Sequence, residues 1–315
     1  MSVADIAYVV FNHVDLSEAE RFYTDFGLTV AYRNDSEVAF RPALARGYCY
    51  VARKAAKPGL VAIGLRAASH EDLEAAARFP EASAIEAIER PGGGQRVRLT
   101  SPDGLTFELT HGIEVYPARP VRDALSLNTG RVKTRHGQWQ RPALEAAAIL
   151  RLGHVALLTS DFKANAQWLQ SRFGFRPSDV LFADSPENQV GAFFHCTGGE
   201  KWTDHHTLAL FPADGARVHH CSFEIEDLDA QFLGNKWLAS RGWKPGWGIG
   251  RHILGSQIFD YWFDPAGNLV EHFTDGDLVQ AGAAAGMHPL DDNALAMWGP
   301  PLTASKFVAM AARHE

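Results

Sequence analysis

Two stretches of the chain, residues 6–33 and 152–179, repeat one pattern of apolar and polar positions. Each contains a short apolar run, IAYVVF or HVALL, and then a polar turn that carries Asp15 or Asp161. Each continues with apolar residues at helical spacing and reaches a Phe-Gly pair, whose glycine suits a helix C-terminus. The pattern predicts a strand followed by an amphipathic helix at the start of each half of the chain.

The later parts of the two halves also match. Residues 99–112 and 262–276 each hold a Pro-x-Gly turn between strand-like runs, with a Glu six residues after the Pro. Between the matched ends, GLVAIGL and VHHCSFEIED each predict a strand followed by an acidic helix start. We therefore predict an α+β fold of tandem paired βαβββ modules that form two curved-sheet, barrel-like domains. The predicted division is an N-terminal domain 1–114, a linker 115–148, a C-terminal domain 149–277 and a C-terminal arm 278–315.

Composition narrows the class of protein. The chain has 315 residues, 46% of them hydrophobic, which is enough for two cored domains. A net charge of −7 without a basic stripe argues against a nucleic-acid partner. The N-terminus has neither a basic region nor a long apolar run, so we expect no signal peptide, no membrane span and a cytoplasmic protein. Three widely spaced cysteines imply no disulfide framework, and the 14 histidines cluster in the second half.

The two halves differ at three corresponding positions. Tyr8 of the first half matches His154, a residue near Leu60 or Val61 matches His220, and Glu108 matches Glu271. The second half thus offers two imidazoles and a carboxylate on three strands. This ligand set suits a non-haem Fe(II) centre with open positions; Mn(II) accepts the same set, and zinc would bind without redox chemistry.

Strand parity distinguishes the adjacent His219 and His220, because neighbouring residues on a strand point to opposite faces. Apolar residues at alternate positions in 221–225 share the face of His219, and polar residues at alternate positions in 222–226 share that of His220. We therefore predict that His220 is a metal ligand and that His219 is packed or exposed.

The chain resembles the type I extradiol catechol dioxygenases of the vicinal oxygen chelate (glyoxalase/bleomycin-resistance-like) superfamily, over about residues 3–277. The resemblance is carried by GHVALLTSD, DHHTLALF, RVHHCSFEIED, GRHILGSQIFDYWFDP and NLVEHF. It implies a non-catalytic N-terminal half and a C-terminal metal-binding catalytic half, in which His154, His220 and Glu271 hold Fe(II).

The resemblance also implies three catalytic residues near the metal. His206 would act as acid and base, while His252 and Tyr261 would hydrogen-bond the substrate oxygens. His252 lies nine residues before Tyr261, which lies ten before Glu271. His205 competes with His206, because the 14 residues from His206 to His220 are one fewer than the resemblance predicts.

These features together predict an Fe(II)-dependent extradiol ring-cleaving dioxygenase that inserts both atoms of O2 into a catechol-type diol in aromatic-compound degradation. The aromatic residues expected around the ring are Phe193, Phe194, Trp202 and Trp247. The resemblance implies a homo-oligomer. Two alternatives with the same fold are a non-redox metal-dependent isomerase or lyase of the glyoxalase kind, and a metal-free small-molecule binding protein.

Overall fold

The first half of the chain forms one mixed sheet of eight strands with two helices. The structure, a computed structural model, describes residues 1–293 and 295–314. The elements of this half are β1 (Val3–His13), α1 (Leu16–Asp25), β2 (Thr29–Arg33), β3 (Glu37–Arg41), β4 (Tyr50–Lys54), β5 (Gly59–Ala67), α2 (His70–Ala76), β6 (Glu86–Ala87), β7 (Gln95–Thr100) and β8 (Thr106–His111). The strand order is β2-β3-β4-β1-β5-β8-β7-β6.

The second half repeats this arrangement around two long antiparallel strands. Its elements are β9 (Ile149–Thr159), α3 (Phe162–Phe173), β10 (Arg176–Phe182), β11 (Gln189–His195), β12 (Trp202–Asp204), β13 (Leu208–Pro212), β14 (Arg217–Ile225), α4 (Leu228–Ser240), β15 (Lys244–Pro245), β16 (Gly250–His252), β17 (Ile258–Phe263) and β18 (Leu269–Thr274). The order β10-β11-β13-β9-β14-β18-β17-β16 matches that of the first sheet strand for strand. The predicted α+β fold of paired βαβββ modules is confirmed.

The C-terminal arm adds to the second sheet. It contains β19 (Leu278–Gln280), β20 (Gly286–Pro289), β21 (Ala296–Trp298) and α5 (Ala304–Val308). β20 pairs with β10 at one edge, β21 pairs with β16 at the other, and β19 forms a separate two-stranded sheet with β12. The arm is therefore held by backbone hydrogen bonds on both sides of the curled sheet.

The helix signals of the repeated pattern have structural counterparts. Asp15 caps α1 by accepting hydrogen bonds from the backbone amides of residues 17 and 18, and Asp161 caps α3 through the amide of Ala164. Gly174 ends α3 with a φ of +72°, a left-handed conformation that favours glycine. These caps fix where each helix starts and stops, and so return the chain to the sheet.

The strand register corrects one predicted equivalence. Ala62, rather than Leu60 or Val61, is the first-half counterpart of His220. Two cross-strand pairs establish this, Ala62 with Val10 in the first half and His220 with Ala156 in the second. The other matches hold: Tyr8 and Glu108 flank Gly64 as His154 and Glu271 flank Ser222. The counterpart of His220 remains a residue that cannot bind a metal.

One hydrophobic core extends through both halves of the chain. At their contact the Tyr23 hydroxyl donates to Asp264 at 2.9 Å, and the Phe26 ring stacks on His272 with centroids 3.9 Å apart. The second sheet is thereby braced from behind by the first half, which leaves its concave face for the site. All three cysteines are buried with free thiols. Among the described residues, no helix has the length and apolar character needed to span a bilayer.

Candidate metal and substrate site

Three buried side chains from neighbouring strands of the second sheet converge on one point. His154 lies on β9, His220 on β14 and Glu271 on β18, and all face the concave side. The two histidine Nε2 atoms are 3.3 Å apart, and Glu271 Oε2 lies 3.3 Å from His154 Nε2 and 3.5 Å from His220 Nε2. The structure thus brings together the three side chains that the sequence singled out as ligands.

This triangle fits a divalent metal ion. Two atoms that each lie about 2.1 Å from one ion are about 3.0–3.4 Å apart at ordinary coordination angles. Neither Glu271 carboxylate oxygen accepts a hydrogen bond within the described part of the chain, and the side chain is fully buried. A buried carboxylate without donors is costly unless a cation compensates it. Two imidazoles and one carboxylate also match the set used by ferrous oxygenases.

His219 orients the candidate ligand His220, a role for His219 that strand parity alone did not predict. A β-bulge interrupts β14 between Val218 and His220, so the two adjacent imidazoles meet instead of pointing apart. Burial lowers the pKa of His219 to about 4, so its ring is neutral. His219 donates from Nε2 to the Phe307 carbonyl at 2.7 Å and accepts from His220 Nδ1 at 2.7 Å. His220 Nε2 is left unprotonated and free to bind a metal ion.

His206 lies beside the ligand triangle. Its ring centroid is 4.1 Å from that of His154 and 4.9 Å from that of Phe193. Burial, followed by the neighbouring imidazoles of His154 and His205, holds the pKa of His206 well below its usual value. A neutral imidazole at this place can accept a proton from a neighbouring group in the cavity.

His252 and Tyr261 form a hydrogen-bonded pair on the opposite side of the triangle. The Tyr261 hydroxyl donates to His252 Nε2 at 2.9 Å, and His252 Nδ1 donates to the Leu295 carbonyl of the arm at 3.0 Å. Burial, together with nearby Glu271, raises the pKa of Tyr261 well above its usual value. Tyr261 is therefore a neutral phenol whose oxygen retains a lone pair for a donor in the cavity.

A cavity of about 680 Å³ opens above these residues. Its remaining wall is mostly apolar and includes Ala156, Leu181, Phe193, Ala209, Phe211, Pro212, Ile253 and Leu254. The arm closes one side through the segments 288–292 and 304–308. Sequence reasoning missed this contribution, because nothing in the arm's own pattern indicates which part of the sheet it contacts.

The aromatic residues expected around a substrate ring need correction. Phe193 lines the cavity, but Phe194, its neighbour on β11, points into the hydrophobic core. Trp202 is half exposed on β12 and lies outside the cavity. Trp247 packs behind the wall, with its ring 5.8 Å from that of His252 and 5.9 Å from that of Tyr261. It supports the wall without forming part of it.

The first half uses its equivalent positions differently. Tyr8 donates to Glu108 at 2.5 Å, and the guanidinium groups of Arg96 and Arg98 lie 3.2 and 3.3 Å from the same carboxylate. Protein cations therefore compensate Glu108. Within the residues that the structure describes, the set of His154, His220 and Glu271 is the one group that could hold a metal ion.

Comparison with known proteins agrees with this fold. The glyoxalase/bleomycin resistance protein/dioxygenase superfamily profile matches residues 151–272. Metapyrocatechase 2 of Cupriavidus necator is 29% identical over 303 residues, which cover 95% of this chain and 90% of that protein.

Two solved structures are similar over nearly the whole chain. The Mn(II)-bound glyoxalase from Novosphingobium aromaticivorans has a TM-score of 0.81 at 21% identity, covering 99% of this chain and 95% of that one. Homoprotocatechuate 2,3-dioxygenase from Brevibacterium fuscum, in complex with 3,4-dihydroxyphenylacetate, has a TM-score of 0.78 at 21% identity, covering 99% and 93%.

Residues 151–272, which contain all three side chains of the candidate metal-ligand set, therefore match the glyoxalase/bleomycin resistance protein/dioxygenase superfamily. The similarity to a metapyrocatechase, an extradiol ring-cleavage dioxygenase, extends over almost the full length of the chain.

Proposed function

We propose that this protein uses Fe(II) and O2 to cleave a catechol-type aromatic diol beside its hydroxyl-bearing carbons, as a step in the degradation of aromatic compounds. The observation that carries the proposal is the buried triangle of His154, His220 and Glu271, which opens onto a cavity of about 680 Å³. Fe(II) held there would lower the pKa of a bound hydroxyl and supply the one-electron chemistry that O2 requires.

The residues around the triangle supply the proton handling and the orientation. His206 Nε2 would take a proton from one substrate hydroxyl and return it later in the reaction. The Tyr261 oxygen, whose own proton is held by His252, would accept a hydrogen bond from the other hydroxyl. The arm, by closing one side of the cavity, would limit access of water to the reacting groups.

The charge of the cavity favours a diol with neutral, apolar substituents. No lysine or arginine is among the residues that line it in the described part of the chain, and two carboxylates, Asp291 and Asp292, lie on the arm side. A substrate carboxylate would find no cation to pair with in this mostly apolar cavity and would lose its hydration. We therefore propose a catechol that carries hydrogen, alkyl or aryl groups.

Oxygen uptake during reaction with catechols tests the function directly. Protein purified without oxygen and loaded with Fe(II) should consume O2 when a catechol is added, and a yellow ring-opened product should form. His220→Ala should lose both the bound iron and the uptake, because one of three ligands is removed. His136→Ala, at an exposed position between β8 and β9, is the matched control and should keep both.

A glyoxalase-type isomerase is the alternative supported by fold likeness, since a Mn(II)-bound glyoxalase is structurally similar. Its reaction consumes no O2 and needs no redox change at the metal. Turnover of a glyoxalase-type substrate (the glutathione adduct of an α-ketoaldehyde), without O2 uptake on any diol, would favour this alternative. Absence of bound metal in freshly purified protein would instead favour a binding protein.

A further inference from the structure

We propose that Asp179 and His205 act as a positioning pair that sets the tautomer of His206, and that His288 of the arm completes this pair. The inference rests on the proposed function, because it concerns the side chain assigned there as the base. It also gives a role to His205, which the sequence left as a competitor of His206.

A continuous hydrogen-bonded chain links the arm to His206. His288 Nε2 donates to Asp179 Oδ1 at 2.8 Å, and His205 Nε2 donates to Asp179 Oδ2 at 2.7 Å. His205 Nδ1 lies 3.0 Å from His206 Nδ1. His205 and His206 are both buried, whereas the side chain of His288, at the arm end of these hydrogen bonds, is 39% exposed. Hydrogen bonds thus connect, in series, four side chains from three separate parts of the sequence.

The direction of each hydrogen bond follows from the carboxylate. Burial alone would raise the pKa of Asp179, but hydrogen bonds from His205 and His288 outweigh it and lower the pKa, so the group is ionised. An ionised carboxylate can only accept, and His205 must therefore present an N–H at Nε2. The proposed pair has this single hydrogen on His205, so its Nδ1 is an acceptor and the hydrogen between the two Nδ1 atoms belongs to His206.

The consequence is an unprotonated Nε2 on His206. A neutral imidazole carries one hydrogen, and here that hydrogen is directed to His205. No described side chain forms a hydrogen bond with His206 Nε2, and His206 lines the cavity. The pair would therefore hold His206 in the tautomer that can accept a proton from a substrate hydroxyl.

The same device occurs a second time in the sheet. In the pair His219 and His220, the outer imidazole is anchored by the Phe307 carbonyl and accepts the Nδ1 hydrogen of the inner one. In the pair His205 and His206, the anchor is the Asp179 carboxylate. In both pairs an outer histidine directs the inner Nε2 atom, unprotonated, towards the same cavity.

The tautomer can be measured independently of catalysis. The full chain, labelled with 15N-histidine and loaded with diamagnetic Zn(II), should give two-bond 1H–15N correlations that show His206 protonated at Nδ1 and bare at Nε2. The His206 signals are identified by their absence in His206→Gln. In His205→Leu the tautomer should change or become mixed. In His205→Asn it should be retained, because the amide oxygen takes the place of Nδ1 as the acceptor.

Kinetics of the Fe(II) enzyme supply the second readout. His205→Leu should lower kcat by about 10- to 100-fold, a fraction of what a general base contributes, with KM for a catechol changed by less than about twofold. Asp179→Asn should act in the same direction, and His205→Asn should recover most of kcat. A residue that only fills space would show no such difference between the Leu and Asn variants.

Two results would overturn the inference. One is a His206 that is protonated at Nε2 in the wild-type protein, and the other is an unchanged His206 tautomer in His205→Leu. Because the spectra require no turnover, they decide the positioning role even if no diol is cleaved. Failure of the proposed function would appear separately, as absent O2 uptake by wild-type protein.

Discussion

Phe307 fixes the C-terminal arm to the site, and Phe307→Ala should release the arm without unfolding the protein. The ring is 6% exposed and contacts the rings of His219, His220, Trp247 and Tyr261 at centroid distances from 4.3 to 5.9 Å. Its backbone carbonyl also accepts the hydrogen bond from His219. Helix α5 has five residues, too few to be stable without this packing.

The size of the effect follows from the buried ring. Replacing a buried Phe with Ala typically costs about 3–5 kcal/mol. About 3 kcal/mol corresponds to a roughly 150-fold increase in the undocked population, at about 1.4 kcal/mol for each factor of ten. The lost packing energy should destabilise mainly the docked arm, because both sheets and the shared core are formed without Phe307.

Hydrogen exchange measured by mass spectrometry tests this expectation. Peptides from residues 286–308 should exchange faster by about two orders of magnitude in Phe307→Ala, while those from β9, β14 and β18 should keep their wild-type rates. Phe307→Leu keeps most of the apolar volume and should give a smaller increase. Unchanged exchange in the arm would refute the anchoring role, and faster exchange throughout the sheet would show that the cost is global.

Three further outcomes are expected. Gly153→Ala places a Cβ 2.4 Å from the buried Phe273 ring, so it should lower the free energy of unfolding, measured by urea titration, by about 1–3 kcal/mol. Gly130→Ala, whose Cβ would meet nothing within 4 Å, is the control and should have little effect. Burial raises the pKa of Asp260 to about 7, so the stability that its protonated form contributes should be lost as the pH rises from about 4 through 7. Denaturant titrations should show that the free energy of unfolding of Asp260→Asn varies less with pH in this range than that of the wild-type protein. An equal pH dependence in both proteins would contradict the raised pKa of Asp260. Finally, kcat/KM for 4-methylcatechol should exceed that for 3,4-dihydroxyphenylacetate by about tenfold or more, since a carboxylate gains no cationic partner here; a preference for the acid would reverse the proposal on substrate charge.

The fold and the candidate metal ligands could be predicted from the sequence because both depend on an internal repeat. A repeated order of strands and helices imposes equivalent positions, so the amino-acid pattern alone pairs Glu108 with Glu271 and Tyr8 with His154. The alternation of polar and apolar positions along the strand then favoured His220 over His219 as the ligand candidate. These are local properties, set by residues that are close in sequence and by the two-residue period of a strand.

The interior of the site was decided by tertiary structure alone. The bulge in β14 turned His219 from a packed or exposed residue into the support of His220, and the opposite orientations of Phe193 and Phe194 left one of them in the core. The arm contacts side chains some 90 residues earlier, as in the hydrogen bond from His219 to Phe307. Periodicity carries no information about such distant contacts, because they depend on how every intervening element packs. The sequence by itself therefore determined the repeated modules and the metal-ligand candidates, and the packing of the arm against the sheet determined the cavity and the groups that orient its histidines.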